Sequence, residues 1–203
     1  MELFGFLTDL VLDDLMRYLT MASIFFGLCM VQLQSGLSFD SMFSYACRQQ
    51  RYREVSATIT YLCVLSFFIA SYFLEEKLLW SLFSEEALAD ERFAGQLSKP
   101  ERLIIFYSIK SFSEVVFAFT LALFHRLTSV RLSFIAILVC CFSLVVALVH
   151  FARAIDRAVL ATNLMDSLYS PSIMAINLTS VVAMAFYVPS LRLAEKRRST
   201  REF

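Results

Sequence analysis

The sequence predicts an all-α fold: a polytopic bundle of five transmembrane helices with a small helical cap on its outer face. Three observations predict it: an apolar composition, five long runs nearly free of charge, and basic residues that fall on alternate connections. Of the 203 residues, 59% are hydrophobic, and the mean hydropathy is +0.67. That is too apolar for a soluble domain of this length. The runs cover residues 18–39, 55–74, 103–125, 132–152 and 172–191, each long enough for the roughly 20 residues that a helical crossing needs.

The first run carries Gln32, Gln34, Gly27 and Gly36. It therefore also admits a four-span alternative in which this segment is an N-terminal interfacial helix. The opening residues "MELFGFLTDLVLDD" are acidic where a secretory leader is basic, so the first run is expected to stay in the mature chain. The second run ends at Leu74, before Glu75, and Trp80 follows where an interfacial aromatic anchor belongs. The third is clean except for Lys110 and Glu114. Upstream of it, "SKPE" spaces Ser98 and Glu101 as a capping box, with Pro100 in the first turn. The third and fourth runs hold neither glycine nor proline, which predicts continuous helices. Pro171 predicts that the fifth starts near Ser172.

The whole chain, 1–203, reads as one integral membrane domain with cap segments at 75–102 and 153–170 and a basic tail at 192–203. In "FSEEALADERFAG", Ser84 is a candidate N-cap, Glu85 and Glu86 suit the positive end of a helix, and Gly95 suits its end. Glu85, Glu86, Asp90 and Glu91 give this cap an acidic surface. After the fourth run no helix breaker appears until Ser170-Pro171, so that helix is expected to project beyond the bilayer.

Five spans put residues 40–54, 126–131 and 192–203 on one side. These 33 residues hold ten Lys or Arg, namely Arg48, Arg51, Arg53, Arg126, Arg131, Arg192, Lys196, Arg197, Arg198 and Arg201. The other side, 1–17, 75–102 and 153–166, holds seven basic and thirteen acidic residues in 59. Basic residues are retained inside during insertion, so the N-terminus is expected outside and the C-terminus in the cytoplasm, in a cell inner (plasma) membrane.

Catalysis and cofactors are not expected. The five cysteines, Cys29, Cys47, Cys63, Cys140 and Cys141, are scattered mainly within runs and read as small apolar residues. His125 falls at the cytoplasmic end of the third run and His150 at the outer end of the fourth, on opposite membrane faces, which excludes a shared haem or zinc site and leaves them as interfacial aromatics. The sequence contains no Gly-rich phosphate loop, no Gly-x-Ser-x-Gly and no HExxH. Neither direct nucleic-acid binding nor a metal is expected.

Lys110 and Glu114 form the candidate intramembrane site. Four residues apart, they share a helix face with Tyr107 one turn away. Counted from Leu103 at the outer boundary, Lys110 lies about 10 Å and Glu114 about 16 Å deep. A central charge costs about 2.5–3.5 kcal/mol on insertion scales, so neither faces lipid. Either the two neutralise each other, or a protonated Glu114 bonds a neighbour and fixes packing, or the strip lines a hydrated path for a cation or proton. Asn177, Ser66 and Ser143 are the candidate partners at similar depth. The expected role is a membrane subunit or anchor of a larger assembly, docking or sensing at the acidic outer cap and holding a cytoplasmic partner at the basic loops. A prokaryotic stress-response or phage-defence component fits that architecture. The alternative is a homo-oligomeric ion channel or depolarising pore lined by the third span. Lipid, further copies of the chain and a cytoplasmic protein are the expected partners.

Overall fold

The computed structural model describes residues 18–33, 51–84, 88, 94–160, 162 and 164–199, and the described residues form helices without strands. In chain order these are α1 (Tyr18–Leu33), α2 (Tyr52–Phe83), a short 3₁₀ turn (Ala94–Gln96), α3 (Lys99–Leu127), α4 (Phe134–Ala154) and α5 (Asp166–Ser199). Four of them, α2 to α5, are long and apolar enough to cross a membrane. The chain is accordingly a multi-pass membrane protein by length and composition. The described part of α1 is shorter, and residues 34–39 of the first predicted run lie outside the described residues.

The glutamate half of the predicted capping box is present: the Ser98 backbone N–H donates to Glu101 Oε2 at 2.7 Å, and the Ser98 hydroxyl donates to the same carboxyl oxygen at 2.6 Å. α3 then runs unbroken to Leu127. It ends on Ser129 at φ 54°, a left-handed residue that lets Val130 N–H reach the His125 carbonyl at 3.0 Å and Ser129 N–H the Arg126 carbonyl at 3.1 Å. This pairing satisfies two carbonyls that the helix end would leave open. The buried Val130 side chain seals the turn.

α4 does not project as a straight helix to Ser170. It widens into a π turn over Ile155–Val159, with Leu160 N–H donating to the Ile155 carbonyl at 2.9 Å, and stops there. Asp156 supplies the reason. Its carboxylate accepts from the Thr162 hydroxyl, from Leu164 N–H at 3.2 Å and from Met165 N–H at 3.1 Å. A side chain that captures later backbone groups competes with helix continuation. It also anchors the start of α5, where Tyr169 N–H donates to the Met165 carbonyl at 2.8 Å. α5 therefore begins at Asp166, upstream of the start that Pro171 predicts. The proline sits early enough that its missing N–H opens only one bond near the helix end.

The chain divides into two compact units. The first is Met1–Leu65, Leu121–Val139 and Met174–Phe203; the second is Ser66–Thr120 and Cys140–Ile173. In the first, Ile24, Gly27 and Val31 make the inward stripe of α1, at the i, i+3, i+7 spacing of one helix face. A Cβ on Gly27 would lie 2.7 Å from Cε2 of Tyr61, so only glycine lets α1 approach the α2 ring. Tyr61 is fully buried, and its hydroxyl donates to the Met184 carbonyl of α5 at 2.8 Å. One side chain thus joins three helices.

In the second unit, α3 and α4 meet along a seam of small residues. The Ser111 hydroxyl donates to the Ala147 carbonyl at 2.9 Å, Ser143 donates to the Glu114 carbonyl at 3.0 Å, and Cys140 Sγ lies 3.7 Å from the Ala118 carbonyl. Rising numbers on α3 meet falling numbers on α4, the register of antiparallel neighbours. Small side chains let two backbones come this close in a membrane. α2 packs on α3 through larger groups, with Phe67 stacked on Phe117 at 4.4 Å and Phe83 edge-on to Phe106 at 6.1 Å.

Candidate functional site

α3 carries both charges of the predicted site within the second unit, but they do not pair with each other. Lys110 Nζ donates to Glu75 Oε1 of α2 at 2.7 Å, and it lies 5.2 Å from the centre of the Phe106 ring, within cation–π range. Glu114 instead meets the Ser143 hydroxyl of α4, which contacts a carboxyl oxygen and lies 3.0 Å from the main-chain carbonyl. The self-neutralised Lys110–Glu114 pair is therefore corrected to two separate partnerships. The lysine-before-glutamate order is the weaker one along a helix, and better-placed partners stand on both neighbouring helices.

The Glu75 partnership also changes the depth of the site. Glu75 is the first charged residue after the apolar run of α2, so Lys110 stands level with the end of that run and not 10 Å within it. Glu114 lies one turn further, about 6 Å along α3. The Lys110 and Glu75 side chains keep 24% and 35% of their surface exposed. Lys110 thus sits with its counter-ion at the charged end of the α2 run, with Glu114 one turn further along α3.

The polar neighbourhood continues toward α5. Tyr107 packs edge-on to Tyr169 at 5.7 Å, and the Tyr169 hydroxyl lies 2.9 Å from His150 Nδ1. Arg153 sits 3.5 Å from Asp156 and 5.3 Å from the Tyr169 ring centre. His150 is buried and bonded to tyrosine, which corrects its reading as an interfacial aromatic. His125 is corrected likewise. In the first unit its Nδ1 lies 2.8 Å from the Leu121 carbonyl and so carries a proton. Its Nε2 lies 2.8 Å from Ser56 Oγ. Ser56 Oγ accepts from Ser133 N–H at 2.9 Å and lies 2.9 Å from the Ser133 hydroxyl. Ser56, His125 and Ser133 are all buried. These buried hydrogen bonds join α2, α3 and the start of α4.

Of the other predicted partners, Ser143 reaches the site. Asn177 belongs to the first unit and is exposed, and Ser66 is exposed. Glu75 was missed because it stands just past the charge-free run, where counting uncharged residues stops. Arg51, Arg53, Arg126 and Arg131 are exposed residues of the first unit, and α5 continues through Arg192, Lys196, Arg197 and Arg198. Arg48, Arg201, Cys47 and the acidic cap residues Glu85, Glu86, Asp90 and Glu91 lie outside the described residues. Among the described residues no cluster of three or more His, Cys, Asp or Glu is placed to hold a metal. A shallow, mainly apolar groove of about 280 Å³ lies beside the α3–α4 seam, lined by Ser111, Val115, Leu144 and Phe151. Comparison with protein-family models, with curated proteins and with solved structures gives no match.

Proposed function

We propose that the chain is a membrane-embedded subunit or anchor of a larger assembly, whose basic end holds a cytoplasmic partner. The observation that carries this reading is the length of α5. Its apolar part ends near Leu191, yet the helix continues to Ser199 through Arg192, Lys196, Arg197 and Arg198. Eight further residues extend a helix by about 12 Å, so the basic segment forms a helical arm in place of a loose tail. The same unit contains exposed Arg51, Arg53, Arg126 and Arg131. Such an arm suits an acidic partner, and the basic bias puts it on the cytoplasmic side.

The outward face of α1 supports a fifth crossing over an interfacial position. Phe25, Phe26, Cys29 and Leu33 are exposed on it, whereas an interfacial helix turns a charged face to water. Under this reading the acidic cap lies outside, as a docking or sensing surface.

Purification in mild detergent followed by mass measurement tests the proposal. A companion present in fixed ratio with the native chain, and lost from the Lys196→Glu/Arg197→Glu/Arg198→Glu variant while membrane insertion persists, supports an anchor. A pure ring of identical chains contradicts it. That ring is the outcome expected of the second reading, a pore lined by α3, which the partial exposure of Glu75 and Lys110 favours. A pore also requires that Lys110→Ala or Glu114→Gln alter conductance with assembly intact.

A further inference from the structure

Among the described residues no basic group forms an ion pair with the Glu114 carboxyl, and Lys110 acts on it only through space. Lys110, one turn away, is committed to Glu75 at 2.7 Å. On the other packed elements of this unit, His150 of α4 is bonded to the Tyr169 hydroxyl of α5, and Arg153 pairs with Asp156. Tyr107, on α3 itself, packs against Tyr169. A carboxylate left among apolar residues without a partner bears the desolvation cost alone, and taking up a proton removes that cost.

The hydrogen-bond count points the same way. Ser143 Oγ contacts two oxygens of Glu114, the main-chain carbonyl at 3.0 Å and Oε2. A serine hydroxyl has a single proton. Spent on the main-chain carbonyl, it leaves the oxygen–oxygen contact at Oε2 without a hydrogen, unless the carboxyl brings its own. A neutral Glu114 closes the arrangement: its O–H donates to Ser143 Oγ, and the Ser143 O–H donates to the Glu114 carbonyl.

We propose that Glu114 is a proton-binding site within the membrane, a neutral carboxylic acid clipped to Ser143 across the α3–α4 seam, whether the chain anchors a partner or forms a pore. The ligand is a single proton, and it replaces the counter-ion that the neighbouring helices do not supply. The proton joins two helices at a position where a carboxylate would instead call for water or a cation.

Infrared difference spectroscopy of the full chain in lipid nanodiscs at neutral pH tests this. Subtracting the Glu114→Gln spectrum from that of the native protein should reveal one lost carbonyl band of a protonated carboxyl, shifting downward in D₂O. Loss of carboxylate stretches with the acid region unchanged overturns the proposal. Should Glu114→Gln fail to insert, Ser143→Ala serves: the same acid band should move to higher frequency as its hydrogen bond is lost. An acid region untouched by Ser143→Ala also overturns it.

Discussion

Two polar clusters, one in each unit, are handled in opposite ways. In the first, Ser56, His125, Ser133 and Tyr61 are buried and bonded to one another or to backbone carbonyls. In the second, Glu75, Lys110 and Glu114 are ionisable and only partly covered. Apolar surroundings tolerate the first kind as packing, since each donor has its acceptor. They tolerate the second only where counter-charge, a proton or water is supplied. The interior of the first unit therefore reads as scaffold, and the α3 strip of the second as the place where charge has to be managed.

If the first unit is scaffold, its largest side chains should dominate stability. Tyr61→Ala removes a fully buried ring and the bond to Met184. We expect a loss of about 3–5 kcal/mol, the usual cost of deleting a core aromatic, measured by unfolding in detergent micelles. Gly27→Ala tests the close approach of α1. Its new methyl group meets the Tyr61 ring, and overpacking should cost about 1–3 kcal/mol. Cysteine cross-linking between α1 and α2 should show the displacement.

A gain is expected at Ser129. Its left-handed backbone costs a non-glycine residue about 1–2 kcal/mol, so Ser129→Gly should raise stability by about that amount at most, seen as a higher thermal midpoint. The smallest effect belongs to the second unit. Ser143→Ala removes the two interhelical contacts of one hydroxyl, each worth about 0.6 kcal/mol on average in a membrane bundle. A loss as large as that at Tyr61 would erase the contrast between scaffold and site.

The four long helices were legible because bilayer thickness imposes a length that apolar runs display directly. The start of α3 was legible too, since a capping box is local chemistry at fixed spacing. The end of α4 was not. Asp156 terminates it by binding backbone groups up to nine residues ahead, and neither glycine nor proline marks the place. The buried histidines escaped for a related reason: Ser56 lies 69 residues from His125, and only tertiary packing brings them together. Glu75 could have been found by counting back from the α2–α3 connection. Antiparallel neighbours that bring Phe83 to Phe106 also bring Glu75 level with Lys110. Ser143 was found because depth along α4 singled it out.

The central claim is that the base and the acid of α3 are satisfied by different helices, and two double-mutant cycles on unfolding free energy test it most directly. The Lys110→Met/Glu75→Gln cycle should give a favourable coupling of about 0.5–3 kcal/mol, the range for residues in contact. The Lys110→Met/Glu114→Gln cycle should give a clearly smaller coupling, because Lys110 acts on Glu114 only through space. Strong coupling between Lys110 and Glu114, with none between Lys110 and Glu75, would contradict the account.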